Sequence, residues 1–267
     1  MNLYFECKSG ISGDMSVAAL LDLGASREKL EKALASMKLD NEFSYIISKK
    51  SVNAIMATDF DVILPECHHE HSHIEEYHQH FHHEHSHLDE KHVHHHNHEH
   101  RNLEDVYSII EKAEISENAK NLAKKIFKIV AEAEAKVHGK DIKEVHFHEV
   151  GAIDSIADIV SFAVLFDDLN PEKVYFSTLT DGQGFVNCQH GKIPVPVPAV
   201  CEIASKYKIP LRISNNDGEM VTPTGCAIVA ALYNSEKLPK EFVIEKIGYG
   251  AGKRHYENPI LRIMSIK

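Results

Sequence analysis

At 267 residues and 43% hydrophobic content, the chain is long enough for one large domain or two small ones around a real core. Its formal charge of -11, with five scattered arginines, argues against a nucleic-acid surface. No apolar run approaches the roughly 20 residues a membrane helix needs.

Cys7, Cys67, Cys188, Cys201 and Cys226 form no Cys-x-x-Cys pair and read as reduced thiols. The first residues lack a basic region followed by an apolar one, so no secretory signal is expected and the reading is cytoplasmic.

Residues 3–6 form a short apolar strand candidate. It leads through Ser9-Gly10-Ile11-Ser12-Gly13-Asp14 into a buried apolar helix from Met15. Strand, glycine loop and helix together place backbone N–H groups at a ligand. Asp14 at the helix start would repel an anion. A cap role for Asp14 or Ser12, worth about 1 kcal/mol, and a metal-facing role for Asp14 remain equally open. A second helix is expected over residues 27–37. Strands are expected over 43–47 and 55–64, with Lys49-Lys50-Ser51 near the turn.

From His68 to His100 the sequence is low in complexity, with histidine at sixteen of 33 positions and glutamate and serine interleaved. So few apolar side chains cannot offset the entropy of ordering, which predicts a disordered insertion. Imidazole suits nickel, zinc and copper. Many equivalent ligands fix no single geometry, so the tract reads as a labile metal collector rather than a catalytic site.

Helices follow over residues 102–113 and 117–138. Leu122, Ala123, Ile126, Val130, Ala133 and Val137 recur at helical spacing in the second, which Gly139 ends. His138 reads as a cation at the helix C-terminus rather than a ligand.

The next stretch is His146-Phe147-His148-Glu149-Val150-Gly151-Ala152-Ile153-Asp154, continuing to Asp158. In an extended segment His146 and His148 share one side, and in the helix after them Asp154 and Asp158 stack one turn apart. Helical projection over residues 153–166 leaves Asp154, Asp158 and Ser161 as one polar stripe on an otherwise apolar helix. Buried carboxylates need a cation, a lysine or arginine, or an opening to solvent. Asp154 is explained equally by ligation and by a favourable charge at the helix start. Asp158, a turn further in, is not explained by the helix start.

A strand over 173–177 leads to a glycine-punctuated loop or hairpin through Gly184, Phe185, Cys188, His190, Gly191 and Lys192. The run Pro194-Val195-Pro196-Val197-Pro198 begins extended, and a later proline opens a helix over 199–207. His190 and Lys192 suit an acidic substrate group, although a structural hydrogen bond in the turn is the favoured reading of His190. Thr222-Pro223 signals a helix start, and Thr222, Thr224 and Gly225 there suit either capping or an anion pocket. Strands are expected over 242–249 and 261–266, around Gly248-Tyr249-Gly250-Ala251-Gly252-Lys253-Arg254, read as a glycine-rich turn.

Several of these motifs, in order, resemble the LarC family of nickel-insertion proteins. They are Ser9 to Met15, His146 to Asp158, Gly184-Phe185-Val186 with His190 to Pro196, Val221 to Gly225, and Gly248 to Gly252. Glu6 and Lys8 depart from it, standing where the family more often has an aspartate and an apolar or aromatic residue.

The resemblance implies a CTP-dependent nickel insertase, a metal chelatase of the lyase class. It would place nickel between the sulfurs and a ring carbon of a pyridinium bisthiocarboxylate mononucleotide that CTP activates by cytidylylation. The product is the nickel-pincer cofactor of lactate racemase. The family usually continues past the position of Lys267 into a C-terminal domain that binds CTP with magnesium or manganese, in some members through a programmed frameshift. This chain therefore resembles the nickel-handling N-terminal part.

The architecture expected is a mixed α/β body, with a mixed sheet, interrupted by one insertion. Residues 1–66 form its N-terminal part, 67–101 the histidine-rich insertion, 102–240 the main helical part and 241–267 the start of a C-terminal region. The candidate catalytic residues are Asp14, His146, His148, Glu149, Asp154 and Asp158, with His146, His148, Asp154 and Asp158 as metal ligands. Gly10, Gly13, His190, Lys192, Thr222, Thr224 and Gly225 are the candidate nucleotide-holding residues, and a homo-oligomer is expected. The competing readings are a non-enzymatic nickel store or chaperone and a metal hydrolase.

Overall fold

The computed structural model describes residues 1–39, 41–65, 101–144, 153–188, 191–254 and 256–267. The histidine tract, His146, His148, Glu149 and His190 lie outside the described residues.

The described chain is a mixed α/β body, as expected. Its strands are β1 (Asn2–Glu6), β2 (Ser44–Val52), β3 (Ile55–Ile63), β4 (Lys173–Phe176), β5 (Leu179–Gln183), β6 (Phe185–Cys188), β7 (Gly191–Pro194), β8 (Leu211–Asp217), β9 (Ile244–Ala251) and β10 (Ile260–Ile266). Its helices are α1 (Gly13–Leu23), α2 (Arg27–Ser36), α3 (Leu103–Lys112), α4 (Glu117–His138), α5 (Ile153–Leu169), α6 (Pro198–Tyr207) and α7 (Pro223–Leu232).

Six strands make one sheet in the order β2-β3-β9-β10-β1-β4. The β1–β4 and β3–β9 pairs are parallel, and the remaining pairs are antiparallel. Residues 241–267 supply β9 and β10, so β10 sits between β9 and β1 in the middle of the sheet. β5 and β8 form a small parallel pair, and β6 and β7 form a hairpin.

Helix α1 lies on the sheet against β3, β9 and β10, α5 packs against α1, and α4 covers α5, α6 and α7. The core is correspondingly apolar: Phe5, Leu20, Phe127, Ile156, Ile159 and Phe162 are all fully buried. Each such side chain contributes about 1.5–3 kcal/mol relative to exposure.

Helix limits follow local chemistry. Ser116 caps α4 by accepting from the Ala119 N–H, and Gly139 closes it in the left-handed region at φ 62°. Thr222 caps α7 with Pro223 in its first turn, and Pro198 opens α6.

Two local expectations are corrected. The strand expected to end at residue 47 runs on to Val52 and takes in Lys49-Lys50-Ser51, and the turn they lie near is Asn53-Ala54, both at positive φ, as a type I′ hairpin turn requires. Lys49 is used in the strand: its ammonium pairs with Asp22 and lies 3.0 Å from the Thr58 hydroxyl. Gly248 and Gly250 are likewise strand residues of β9 rather than a turn. A Cβ on Gly248 would come 2.0 Å from the Ala19 carbonyl oxygen, and one on Gly250 would come 2.0 Å from that of Met15. These glycines let α1 settle directly onto the sheet.

Candidate functional site

The first turns of α1, α5 and α7 open onto one cleft of about 320 Å³. Ser12, Gly13, Asp14 and Met15 come from the start of α1, Asp154, Ser155 and Asp158 from α5, and Thr222, Pro223 and Thr224 from α7. Lys253, Arg254 and Tyr256, beyond β9, and Glu219, before α7, close it.

Ser12 takes the N-cap position of α1 through its backbone, without a capping side-chain hydrogen bond. Its hydroxyl instead donates to the Asp14 carboxylate, which also accepts from the Met15 N–H at 2.9 Å. The other Asp14 oxygen is 3.9 Å from Lys253 Nζ. Asp154 accepts from the Ser155 N–H at 2.8 Å. Asp158 sits one turn deeper, against Gly13, and takes the Asp14 N–H as a donor. On the same stripe Ser161 is fully buried, and its hydroxyl has no hydrogen-bond partner among the described residues.

Electrostatics single out Asp158. Burial, reinforced by the charges of Asp14 and Asp154, holds its carboxyl well above the usual carboxylate range, with Lys253 pulling only part of the way back. Burial also raises Asp154, opposed by the Ser155 N–H and Lys253. For Lys253 burial favours the neutral amine, but hydrogen bonding to Asp61 at 2.5 Å and the charges of Asp14 and Asp158 outweigh it, so its pKa is raised. Three carboxylates therefore face one ammonium that is already shared with Asp61. In the same cleft Arg254 pairs with Glu219, and the Tyr256 hydroxyl donates to the Ser9 carbonyl at 2.8 Å.

Among the described residues no group of three or more histidine, cysteine, aspartate or glutamate side chains is arranged to hold a metal ion. Asp14, Asp154 and Asp158 line a common space without forming a closed ligand set.

The nucleotide-holding candidates separate. Gly13, Thr222 and Thr224 line the cleft. Gly10 and Gly225 have packing reasons: a Cβ on Gly10 would lie 2.1 Å from the Met220 carbonyl oxygen, and one on Gly225 would lie 2.2 Å from that of Ile11. Lys192 is exposed, with its ammonium 4.8 Å from the Phe185 ring centre. His138 ends α4 with its Nε2 3.3 Å from Glu134, one turn back in that helix.

Sequence reasoning passed over Glu219, Lys253, Arg254 and Tyr256. The adjacent Lys253-Arg254 pair after a glycine run was the available signal. Asp181, also missed, is fully buried in β5 and accepts from the N–H groups of Gly182, Met220 and Val221 at 2.8, 2.8 and 3.0 Å. It thereby fixes the segment that carries Glu219.

Fold and cleft together define a mixed α/β protein with an acidic, cation-attracting cleft where three helices begin. The chain belongs to the nickel insertion protein family, whose model matches residues 3–266.

It is 49% identical over 253 residues to the pyridinium-3,5-bisthiocarboxylic acid mononucleotide nickel insertion protein of Alkaliphilus metalliredigens, covering 94% of this chain and 57% of that protein. The protein of the same description from Acetivibrio thermocellus is 45% identical over 253 residues, covering 94% of this chain and 56% of that protein. That from Clostridium acetobutylicum is 46% identical over 265 residues, covering 98% and 63%. The chain thus spans less than two thirds of the length of these curated relatives. No solved structure matches it.

Proposed function

We propose that this chain is the nickel-handling part of an insertase that places nickel in pyridinium-3,5-bisthiocarboxylic acid mononucleotide, the precursor of the nickel-pincer cofactor used by lactate racemase. The observation that carries the reading is Asp158, a carboxylate held well above its usual pKa beside Asp14 and Asp154, with one shared lysine opposite.

Such a cleft gains from a divalent cation, which neutralises charges that Lys253 does not. Carboxylate oxygens hold nickel less firmly than thiolate or imidazole, so a cation resting there remains transferable to the softer sulfurs of the substrate. His146 and His148, from the same stretch of chain, complete the proposed ligand set with Asp154 and Asp158, and Glu149 belongs to the proposed catalytic group. Nickel replaces a proton on the ring carbon. As nickel leaves the carboxylates for the ring, the freed Asp158, whose pKa is raised without metal, is the group proposed to take that proton. The N–H groups and hydroxyls at the start of α7, with Thr222 and Thr224, serve the substrate phosphate.

CTP with magnesium or manganese does not fit this cleft. Lys253 is paired with Asp61 and Arg254 with Glu219, so a triphosphate would face Asp14, Asp154 and Asp158. CTP dependence and the lyase chemistry are therefore proposed for the whole protein and not for this chain alone.

The tract from His68 to His100 favours a second reading, a nickel store or chaperone. Equilibrium dialysis of nickel against a chain lacking residues 68–100 separates the two. An insertase keeps one tight site that Asp158→Asn or His148→Ala removes. A store loses nearly all its nickel, and point variants that keep the tight site would refute the ordered ligand set.

A further inference from the structure

Lys253 stands between two sets of carboxylates. On one side its Nζ is 3.9 Å from Asp14 Oδ2, within the acidic cleft. On the other it is 2.5 Å from Asp61 Oδ1, on β3. The Asp14 side chain is 16% exposed and that of Asp61 43%, so the step from one to the other leads outward. Asp59, two residues earlier in β3, shares the face of Asp61. One of its oxygens is buried with no hydrogen-bond partner among the described residues. Burial raises its pKa, with Lys50 and Lys253 opposing, so the outer carboxylates are also short of positive charge.

Burial favours the neutral amine of Lys253, but the Asp61 hydrogen bond and the charges of Asp14, Asp61 and Asp158 outweigh it, so it remains an ammonium. Such an ammonium is a compact charge on a flexible four-carbon stem with rotatable donors, able to shift between acceptors where a guanidinium fork would be fixed. A divalent cation among Asp14, Asp154 and Asp158 repels it at close range.

We infer that Lys253 is the cleft's own exchangeable cation: it withdraws onto Asp61 and Asp59 as a divalent metal ion enters, and returns to Asp14 as the metal leaves. The inference rests on the reading of the cleft as a metal site and adds how that site gives its metal up. The returning ammonium takes over part of the charge of the departing ion, so release leaves fewer carboxylates without a partner.

Manganese tests this on the full chain, because carboxylates suit manganese whereas imidazole, and so the histidine tract, suits nickel. Binding is read from the loss of the free-ion electron paramagnetic resonance signal. Lys253→Met keeps the aliphatic stem but removes the competitor, and binds manganese roughly tenfold tighter than wild type. Asp61→Asn removes the place to which the ammonium withdraws, and binds roughly threefold weaker. The double variant binds as Lys253→Met does, because Asp61 acts through the lysine. A purely electrostatic effect of Asp61 would instead weaken binding by the same factor with or without Lys253. That additive result, or an unchanged affinity in Lys253→Met, would overturn the exchange. If Lys253→Met does not fold, Lys253→Gln, neutral and still able to hydrogen-bond Asp61, carries the same expectations. Asp158→Asn separates the exchange from the reading beneath it. Loss of manganese binding in that variant together with additive effects refutes the exchange and leaves the metal cleft standing. Wild-type binding in that variant refutes the metal cleft, and the exchange with it.

Discussion

Asp158 occupies the space that a side chain at Gly13 would fill: a Cβ there would lie 2.5 Å from its Oδ2 and 2.9 Å from its Cβ. The start of α1 and the polar stripe of α5 are thus pressed together at the floor of the cleft, with the Asp14 N–H turned to the Asp158 carboxylate. Gly13→Ala is expected to push Asp158 off that donor. Overpacking of this kind costs about 1–3 kcal/mol. The expected result is a lower urea midpoint together with at least tenfold weaker nickel binding. A variant with wild-type values of both would contradict this contact.

The raised pKa of Asp158 sets a pH dependence with a definite sign. Its folded-state value lies above the unfolded value of about 3.9. Its contribution to stability is therefore fully present below the unfolded pKa and lost as pH rises through the folded one. Without metal, Asp158→Asn should be more stable than wild type at neutral pH, by on the order of 1 kcal/mol, since a charge crowded by Asp14 and Asp154 and only partly offset by Lys253 has been removed. The difference should shrink toward zero in acid. Nickel reverses the order at neutral pH, because ligation requires the carboxylate and stabilises wild type alone. Urea melts across pH, with and without nickel, read both effects.

How much was legible in the sequence depended on whether the reason for a residue was local. Ser116 and Gly139 mark the ends of α4, and Thr222-Pro223 the start of α7, because caps and prolines act within one turn. The aspartate stripe on α5 was legible because a polar line on an apolar helix demands an explanation wherever that helix packs. Gly248 and Gly250 read as a turn because their actual cause, the backbone of α1, lies more than 220 residues earlier in the chain. The Lys253–Asp61 and Arg254–Glu219 pairs were invisible for the same reason.

That helix seat is itself testable. A Cβ on Gly250 would meet the Met15 carbonyl oxygen at 2.0 Å and the Ala19 nitrogen at 2.8 Å, both backbone atoms that cannot rotate away. At Gly252 the corresponding contacts are the Met15 sulfur at 3.0 Å and Pro259 Cβ at 3.2 Å, of which the sulfur ends a flexible side chain. Gly250→Ala should therefore cost about 3 kcal/mol or more and Gly252→Ala about 1 kcal/mol or less, measured as shifts in urea midpoint. Equal costs would mean that α1 does not rest on β9 as described.

Asp181 offers a comparison of charge with hydrogen bonding. One of its oxygens collects three N–H groups, while the other is buried without a partner among the described residues. Burial raises its pKa despite those donors and the nearby Arg254, so its acceptor oxygen rather than its charge is expected to matter to the fold. Asp181→Asn keeps an acceptor for the three N–H groups and should stay within about 1 kcal/mol of wild type at neutral pH. Asp181→Ala leaves all three unsatisfied in the interior and should cost about 2–4 kcal/mol. Because Met220 and Val221 follow Glu219 directly, the alanine variant should also loosen the Glu219–Arg254 ion pair. If both variants lose stability equally, the charge of Asp181 rather than its acceptor oxygen holds the 219–221 segment in place.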